Sequence, residues 1–412
     1  MNKLVGACIV GQSGGPTAVI NSSLYGVIDA ALKNPNITRV LGADHGITGV
    51  INDILYDMGQ EDQLELEYLK YTPAAALGSC RYKMRDAASD STDYYKILDT
   101  FKKHDVRYFF YIGGNDSMDT CNKISKFMQA EGYECRVIGV PKTIDNDLAG
   151  TDHCPGFGSA AKFIATVCTE LASEAYAYTP GSVVVTEIMG RNAGWLAGSA
   201  GLASYMGDGP DLVYLPEIPF EMEKFLDDVE KVYKKQGHCL IAISEGVRYK
   251  DGSFVSHVKT SVSDGFGHAQ LGGLAPLLAY AIQNRIGCKT RAIELSLLQR
   301  CAGHCASMTD IDEAFAAGNA ALNFAADEGI TDKMVAYRRI IDHGKYVCVP
   351  TMVDLDEAAN DERKVPREWI NEEGNGVTED FIEYVMPLIQ GEIPDIKHSS
   401  LPRYAHLKKV RV

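Results

Sequence analysis

The sequence predicts an α/β fold of two Rossmann-like lobes, in which mostly parallel sheets are covered by helices and an active site lies in the cleft between the lobes. Short β-branched and apolar runs alternate with longer stretches of helical periodicity, a pattern typical of parallel sheets with helices on both faces. The alternation restarts about midway along the chain, which indicates a second lobe. Near the C-terminal end it gives way to a hairpin pattern and a polar extension.

These changes of pattern predict the domain organisation. We expect a first lobe over residues 1–156, completed by about residues 300–350, and a second lobe over residues 157–299. Residues 351–412 are expected to form a C-terminal extension that packs on the lobes and has no evident catalytic role. The chain of 412 residues is long enough for two ordinary domains, each with its own core.

The first half of the chain alternates regularly. Its predicted strands are Lys3–Val10, Arg39–Ala43, Arg107–Ile112 and Arg136–Val140, and its predicted helices are Thr17–Leu32, Asp93–His104 and one that ends near Glu131.

The second half repeats this pattern and then departs from it. Its predicted strands are Ser182–Glu187, Asp211–Leu215, Cys239–Ser244 and Lys289–Leu295, and its predicted helices are Ser159–Ala175, Asn192–Ser204, Glu221–Gln236, Leu274–Ile286 and Ile311–Glu328. A glycine-rich loop, Asp264–Gly273, precedes one of these helices. Met334–Ile341 and Lys345–Val353 then flank a turn as a predicted hairpin.

Composition limits the classes of function. The chain is 46% hydrophobic and 23% charged, as expected of a soluble globular protein. Its net charge of -15 argues against general nucleic-acid binding, which requires basic surfaces. An anionic substrate stays possible, because local cations decide its binding.

The N-terminal segment and the cysteines predict a cytoplasmic protein. The first apolar run is too short for a signal peptide, and no stretch approaches the roughly 18 apolar residues of a membrane span. The 11 cysteines are scattered without paired spacing, which favours buried, reduced thiols.

Two glycine-rich loops follow predicted strands and suit phosphate binding. The loop Gly11–Pro16 leads from a strand into a helix, where backbone N–H groups and the helix dipole face an anion. A tight turn also requires glycine for purely structural reasons. In Gly113–Ser117 the paired glycines allow close approach to a phosphate, although Asp116 or Ser117 is also an ordinary helix N-cap.

The segment Val140–Asp147 is the strongest candidate for chemistry. It places a lysine, a threonine, an asparagine and two carboxylates directly after a predicted strand. In open α/β sheets, ligands bind at the carboxyl ends of strands. A solvated acidic loop is the alternative, but the cation beside the acids favours a catalytic site.

Three motifs together resemble the phosphofructokinase family. They are PKTIDND at Pro141–Asp147, GGNDS at Gly113–Ser117 and MGR at Met189–Arg191, in that order. The lysine before TIDND and the aspartate after GGN resemble the pyrophosphate-dependent branch of this family. The similarity extends from about Leu4 to about Arg300.

The resemblance implies a reversible transfer of a phosphoryl group from pyrophosphate to the 1-hydroxyl of fructose 6-phosphate. The products would be fructose 1,6-bisphosphate and phosphate, and the reaction would serve glycolysis or gluconeogenesis. It also implies Mg²⁺ as cofactor and a homodimer or homotetramer. The first lobe would bind the phosphoryl donor and the second lobe the sugar phosphate.

The resemblance further implies roles for individual residues. Asp145 would be the general base, with Lys142 and Asp116 as its catalytic partners. The diphosphate would be bound by Gly11, Gly14, Gly15, Arg81 and Gly114, and the acceptor by Thr143, Asp145, Asp147, Met189, Gly190, Arg191, Glu245, Arg291 and Arg300. Asn115 would contact the metal.

Three departures from the family pattern leave the acceptor open. Asn115 replaces a magnesium-binding aspartate, Ser182 an arginine, and Leu297 a histidine that binds the sugar phosphate. Sedoheptulose 7-phosphate is therefore an alternative acceptor. Further alternatives are an ATP-dependent phosphofructokinase and a non-catalytic sugar-phosphate-binding subunit, which would have no need of Lys142 and Asp145.

Overall fold

The computed structural model describes residues 4–256, 273–360 and 362–412. All of the predicted glycine-rich loop except Gly273 lies outside these ranges, as does Lys3 of the first predicted strand. Within the described part, no helix has the length and apolar character needed to cross a membrane.

The larger of the two main sheets has seven strands, in the order β11-β10-β5-β4-β1-β2-β3. Its strands are β1 (Gly6–Gln12), β2 (Ile37–Ala43), β3 (Leu55–Asp57), β4 (Val106–Gly113), β5 (Arg136–Pro141), β10 (Lys333–Asp342) and β11 (Lys345–Asp354). Neighbouring strands run parallel except at the two edges, where β3 and β11 are antiparallel to their neighbours. The predicted hairpin is thus confirmed as β10 and β11.

The second sheet has four parallel strands, in the order β7-β8-β6-β9. Its strands are β6 (Ser182–Ile188), β7 (Leu212–Tyr214), β8 (Cys239–Ser244) and β9 (Lys289–Glu294). A small separate hairpin near the C-terminus pairs β12 (Lys397–His398) with β13 (Leu401–Pro402).

Helices cover both sheets. The α-helices are α1 (Ile20–Lys33), α2 (Ile47–Ile51), α3 (Gln63–Tyr68), α4 (Thr92–Lys103), α5 (Asn115–Ala130), α6 (Phe157–Tyr176), α7 (Trp195–Ser199), α8 (Gly201–Tyr205), α9 (Met222–Gln236), α10 (Leu274–Ile286), α11 (Leu298–Cys301), α12 (Met308–Ala326), α13 (Leu355–Asn360) and α14 (Glu379–Val385). Short 3-10 turns occur at Met58–Gln60, Leu69–Tyr71, Gly303–Cys305, Arg367–Trp369 and Met386–Ile389.

Strand β1 shows why the sequence reads as a run of apolar residues. Ala7 and Ile9 point to a core shared with α4 and α5, whereas Cys8 and Val10 point to a core shared with α1 and α12. Because both faces of the sheet are covered, every position of the strand is buried. The predicted α/β class with mostly parallel, helix-covered sheets is confirmed.

The predicted helix over Asn192–Ser204 is confirmed in part. The chain forms an irregular loop through Gly194, and the helical stretch then begins at Trp195 and is divided into α7 and α8. The carboxylate of Glu217 accepts a hydrogen bond from the Gly194 N–H at 2.9 Å, and Asn192 donates its side-chain amide to Glu362 at 2.9 Å. These long-range bonds hold the loop open where local periodicity predicts a helical turn.

The C-terminal extension packs against elements of both sheets. Phe381 and Val385 of α14 are buried in a core with Trp195, next to the second sheet. Farther on, the backbone N–H of Val412 donates to the Leu55 carbonyl at 3.1 Å, and the N–H of Asp57 donates to the Val410 carbonyl at 2.9 Å. The extension is therefore an integral part of the fold.

Candidate active site

A cavity of about 400 Å³ lies at the carboxyl ends of strands from both sheets. Most of the predicted site residues line it: Gly14, Gly15, Arg81, Gly114, Asn115, Asp116, Lys142, Thr143, Asp145, Asp147, Met189, Arg191, Glu245 and Arg300. The structure thus brings the three sequence motifs together at one site.

Three predicted residues do not line the cavity. Gly11 is buried in β1, where a Cβ atom would lie 3.1 Å from the ring of Tyr111. Gly190 lies directly beside two lining residues. Arg291 is exposed on β9, the edge strand of the second sheet.

The first glycine-rich loop is fixed to the loop that carries Arg81. The N–H of Gly14 donates to the Cys80 carbonyl at 3.0 Å, and the Ser79 hydroxyl donates to the Gly14 carbonyl at 2.6 Å. At Gly15 a Cβ atom would lie 2.5 Å from a guanidinium nitrogen of Arg300. A side chain at this position would therefore displace the Arg300 guanidinium from the backbone.

The TIDND loop owes its shape to Asn146. This residue has a φ of 56°, in the left-handed region that asparagine tolerates better than most residues. Its buried side chain donates to the Tyr384 hydroxyl at 2.9 Å and accepts from the Cys154 N–H at 2.9 Å. With this turn held in place, Asp145 and Asp147 on either side of it both line the cavity.

Burial perturbs the titration of the groups in the TIDND loop. It lowers the pKa of Lys142 to about 8, assisted by the positive charges of Arg300 and Arg81. The pKa of Asp145 is raised by burial, against the attraction of the Lys142 ammonium. Burial and the negative charges of Asp145 and Glu362 raise the pKa of Asp147 to about 7.

The MGR loop, which follows β6, is held by residues at the carboxyl end of the neighbouring strand β8. Gly190 has a φ of 139°, and a Cβ atom there would lie 2.6 Å from the Ala193 carbonyl. Its carbonyl accepts from the Ser244 hydroxyl at 2.6 Å, and its N–H donates to the Glu245 carboxylate at 3.5 Å. Burial, followed by the charge of Asp145, raises the pKa of Glu245 to about 7.

Two polar atoms at the site are buried without a hydrogen-bond partner in the described part of the chain. They are the Nε of Arg300 and the side-chain oxygen of Asn115. Buried polar groups are normally hydrogen-bonded. An unpartnered donor and an unpartnered acceptor in the same lining suit a site that holds an anionic ligand together with a cation.

Sequence reasoning missed five lining residues: Ser117, Ile144, Asn192, Ala193 and Glu362. Four of them lie in or directly after the motifs, so proximity could have identified them. Glu362 belongs to the C-terminal extension, for which no role at the site was expected. Its position corrects that expectation, because the extension contributes a side chain to the cavity.

Comparisons with known proteins agree with this geometry. Residues 7–325 match the family model described as Phosphofructokinase. A Halomonas elongata protein named pyrophosphate–fructose 6-phosphate 1-phosphotransferase is 44% identical, over 97% of this chain and 96% of the relative. An Alkalicoccus urumqiensis protein named sulfofructose kinase is 33% identical, over 88% of this chain and 91% of the relative.

Solved structures give the same result. The crystal structure of a pyrophosphate-dependent phosphofructokinase from Nitrosospira multiformis superposes with a TM-score of 0.90 at 41% identity, covering 99% of this chain and 98% of that one. The family match spans more than half of the 412 residues, and the relatives match nearly their whole length. The chain belongs to the phosphofructokinase family.

Proposed function

We propose that the chain transfers a phosphoryl group reversibly from pyrophosphate to the 1-hydroxyl of fructose 6-phosphate, giving fructose 1,6-bisphosphate and phosphate. The observation that carries the proposal is that Lys142, Asp145 and Asp116 line one cavity together with glycines of the two glycine-rich loops. The names of the Halomonas and Nitrosospira relatives support the same donor.

Pyrophosphate would bind between the two glycine-rich loops. Backbone N–H groups of Gly14, Gly15 and Gly114 would contact its oxygens, and Arg81 would neutralise part of its charge. Asp116 lies in the first turn of α5 and lines the same cavity. A longer donor such as ATP would bring a further phosphate towards this carboxylate. Two unit charges about 4 Å apart repel by about 4 kcal/mol at an effective dielectric of about 20.

Asp145 would act as the general base. Because burial raises its pKa, its carboxylate is a stronger proton acceptor than an exposed aspartate. As the acceptor O1 attacks the phosphorus, the O1 proton passes to Asp145 and the bond to the bridging oxygen breaks. The leaving phosphate takes up the negative charge, which Lys142 and Arg81 would balance.

The acceptor would bind against the MGR loop. Arg191 and Arg300 would pair with its phosphate, because the planar guanidinium meets two phosphate oxygens at once. Met189, Gly190, Glu245 and Thr143 would contact the sugar. The involvement of Arg291, which lies outside the lining, stays a prediction from the family resemblance.

The residues at the site fit Mg²⁺. The unpartnered oxygen of Asn115 and the carboxylates of Asp145 and Asp147 are all oxygen ligands, the type that Mg²⁺ prefers. When bound, Mg²⁺ would neutralise charge on the pyrophosphate oxygens.

We also propose a homodimer or homotetramer in the cytoplasm. Leu297 and Leu298 are 57% and 59% exposed just after edge strand β9, and their apolar surface supports association. All 11 cysteines are free, which supports a reducing compartment.

A donor-by-acceptor activity matrix on the purified chain tests this proposal. Pyrophosphate and ATP would each be combined with fructose 6-phosphate, sedoheptulose 7-phosphate and sulfofructose, and the products identified by mass spectrometry. We expect pyrophosphate with fructose 6-phosphate to give the highest kcat/KM. Higher activity with another pair would show that the proposed donor or acceptor is wrong. No transfer with any pair would favour the non-catalytic sugar-phosphate-binding subunit.

A further inference from the structure

The C-terminal extension reaches the active site through Glu362. Its backbone forms an antiparallel bridge with Leu148, just after the TIDND loop. The next residue, Arg363, donates its N–H to the Asp147 carbonyl at 2.8 Å. These bonds fix the backbone of Glu362 beside the loop that carries the proposed base.

The side chain of Glu362 extends from there to the acceptor loop. One of its carboxylate oxygens accepts a hydrogen bond from the Asn192 amide at 2.9 Å. The amide oxygen of Asn192 in turn accepts from the Arg248 guanidinium at 3.0 Å. The orientation of the carboxylate is therefore set by a residue that directly follows the MGR motif.

We propose that Glu362 is a specificity-determining residue for the acceptor, whose carboxylate accepts a hydrogen bond from a hydroxyl of the sugar phosphate. This inference rests on the proposed function. An ionised carboxylate has about four acceptor positions, so the bond to Asn192 leaves capacity for a sugar hydroxyl. Glu362 is exposed at the cavity rim, which suits contact with a substrate that enters from solvent.

Charge supports this orientation of the acceptor. The negative charge of Glu362 repels the phosphate of the acceptor, whereas Arg191 and Arg300 in the same lining attract it. The phosphate would therefore lie towards the arginines and a hydroxyl-bearing part of the sugar towards Glu362. An acceptor with a different pattern of hydroxyls would lose this hydrogen bond, which is how one carboxylate can discriminate between sugars.

The variant Glu362→Gln tests the proposal, with Glu368→Gln as the matched control, an exposed glutamate of the same extension that lies outside the cavity lining. The glutamine amide oxygen still accepts a hydrogen bond, so only the charge-assisted part of the interaction is lost, and kcat/KM for fructose 6-phosphate should fall about five-fold. The KM of pyrophosphate should stay within about two-fold of the native value. The control should match the native chain in both, and melting temperatures would verify folding.

Deoxy acceptors provide a second readout that a purely structural role would not change. With the native chain, either 3-deoxy- or 4-deoxyfructose 6-phosphate should have a kcat/KM about ten-fold below that of fructose 6-phosphate. With Glu362→Gln, whose neutral amide makes a weaker hydrogen bond, the same analogue should lose only about two-fold relative to fructose 6-phosphate. An unchanged kcat/KM for fructose 6-phosphate in Glu362→Gln, or equal losses for donor and acceptor, would overturn the proposal. If the native chain does not phosphorylate fructose 6-phosphate at all, the proposed function itself fails.

Discussion

The ammonium group of Lys142 donates a hydrogen bond to the backbone carbonyl of Gly15, with 2.7 Å between the two atoms. This bond joins the TIDND loop, which carries the proposed base, to the glycine-rich loop proposed to bind the donor. Lys142 is buried, so its charge acts in surroundings that water screens only weakly. Lys142, the lysine before TIDND that is typical of the pyrophosphate-dependent branch, thus holds the proposed base and the donor loop together.

Replacing Asp145 by Asn should abolish most turnover. General-base catalysis contributes about 10²–10⁴-fold, so kcat should fall by at least two orders of magnitude while fructose 6-phosphate still binds. Steady-state kinetics and isothermal titration calorimetry would measure the two effects. Asp380→Asn, an exposed change on α14, is the control. Near-native turnover in a folded Asp145→Asn protein would exclude Asp145 as the base.

Replacing Arg300 by Ala should affect the acceptor more than the donor. Loss of charge-assisted bonds of about 1.5–3 kcal/mol predicts an acceptor KM that rises about ten-fold or more, with a smaller change for pyrophosphate. Arg300 also lies close to Gly15 of the proposed donor loop, so the effects on the two KM values must be compared directly. If the KM of pyrophosphate rises by the same factor, Arg300 binds the donor, and our assignment is wrong.

Replacing Asp116 by Gly should weaken the discrimination against ATP. The carboxylate would no longer repel a third phosphate, so ATP should be used at a low but measurable rate while turnover with pyrophosphate falls. Adding Lys142→Gly should improve ATP use further. Initial rates with both donors would measure the change. Unaltered pyrophosphate kinetics in Asp116→Gly would mean that Asp116 only stabilises the first turn of α5.

Replacing Asp147 by Asn should reduce the loss of folding stability that occurs as the pH rises. The pKa of Asp147 is about 7 in the folded chain, against an ordinary value of 3.8. Between these values the folded state keeps a proton that the unfolded state has lost, so this group's contribution to stability falls as the pH rises from about 4 to about 7.

An asparagine has no such proton to lose. Relative to the native chain, the Asp147→Asn variant should therefore gain at least about 2 °C in melting temperature between pH 4.5 and pH 8, as thermal unfolding would show. Glu245 and Asp310, whose pKa values are also raised by burial, would still destabilise both proteins over part of this range. A melting-temperature difference that is the same at every pH would contradict the assigned pKa of Asp147.

Local sequence patterns predicted most of the fold, because strand and helix periodicity are local properties. The hairpin of β10 and β11 and the alternating elements follow from them. The helix predicted from Asn192 begins only at Trp195, because Glu217 and Glu362 bind the preceding loop from distant parts of the chain. No local pattern contains such contacts.

The candidate site likewise contains residues that the sequence could predict and residues that it could not. The motif residues converge because each follows a strand, and parallel strands bring their carboxyl ends to one edge. Glu362 could not be predicted, since a lone carboxylate in a polar extension gives no signal and its bond to Asn192 spans 170 positions. The match of Arg291 to the family could not reveal that an edge strand exposes this residue outside the lining.

The donor preference of the native chain tests the central claim most directly. Initial rates of fructose 1,6-bisphosphate formation would be measured with saturating fructose 6-phosphate and Mg²⁺, and with either pyrophosphate or ATP as donor. We predict rapid turnover with pyrophosphate and little with ATP, because Asp116 and Lys142 suit a donor of two phosphates. Faster turnover with ATP than with pyrophosphate would contradict the account.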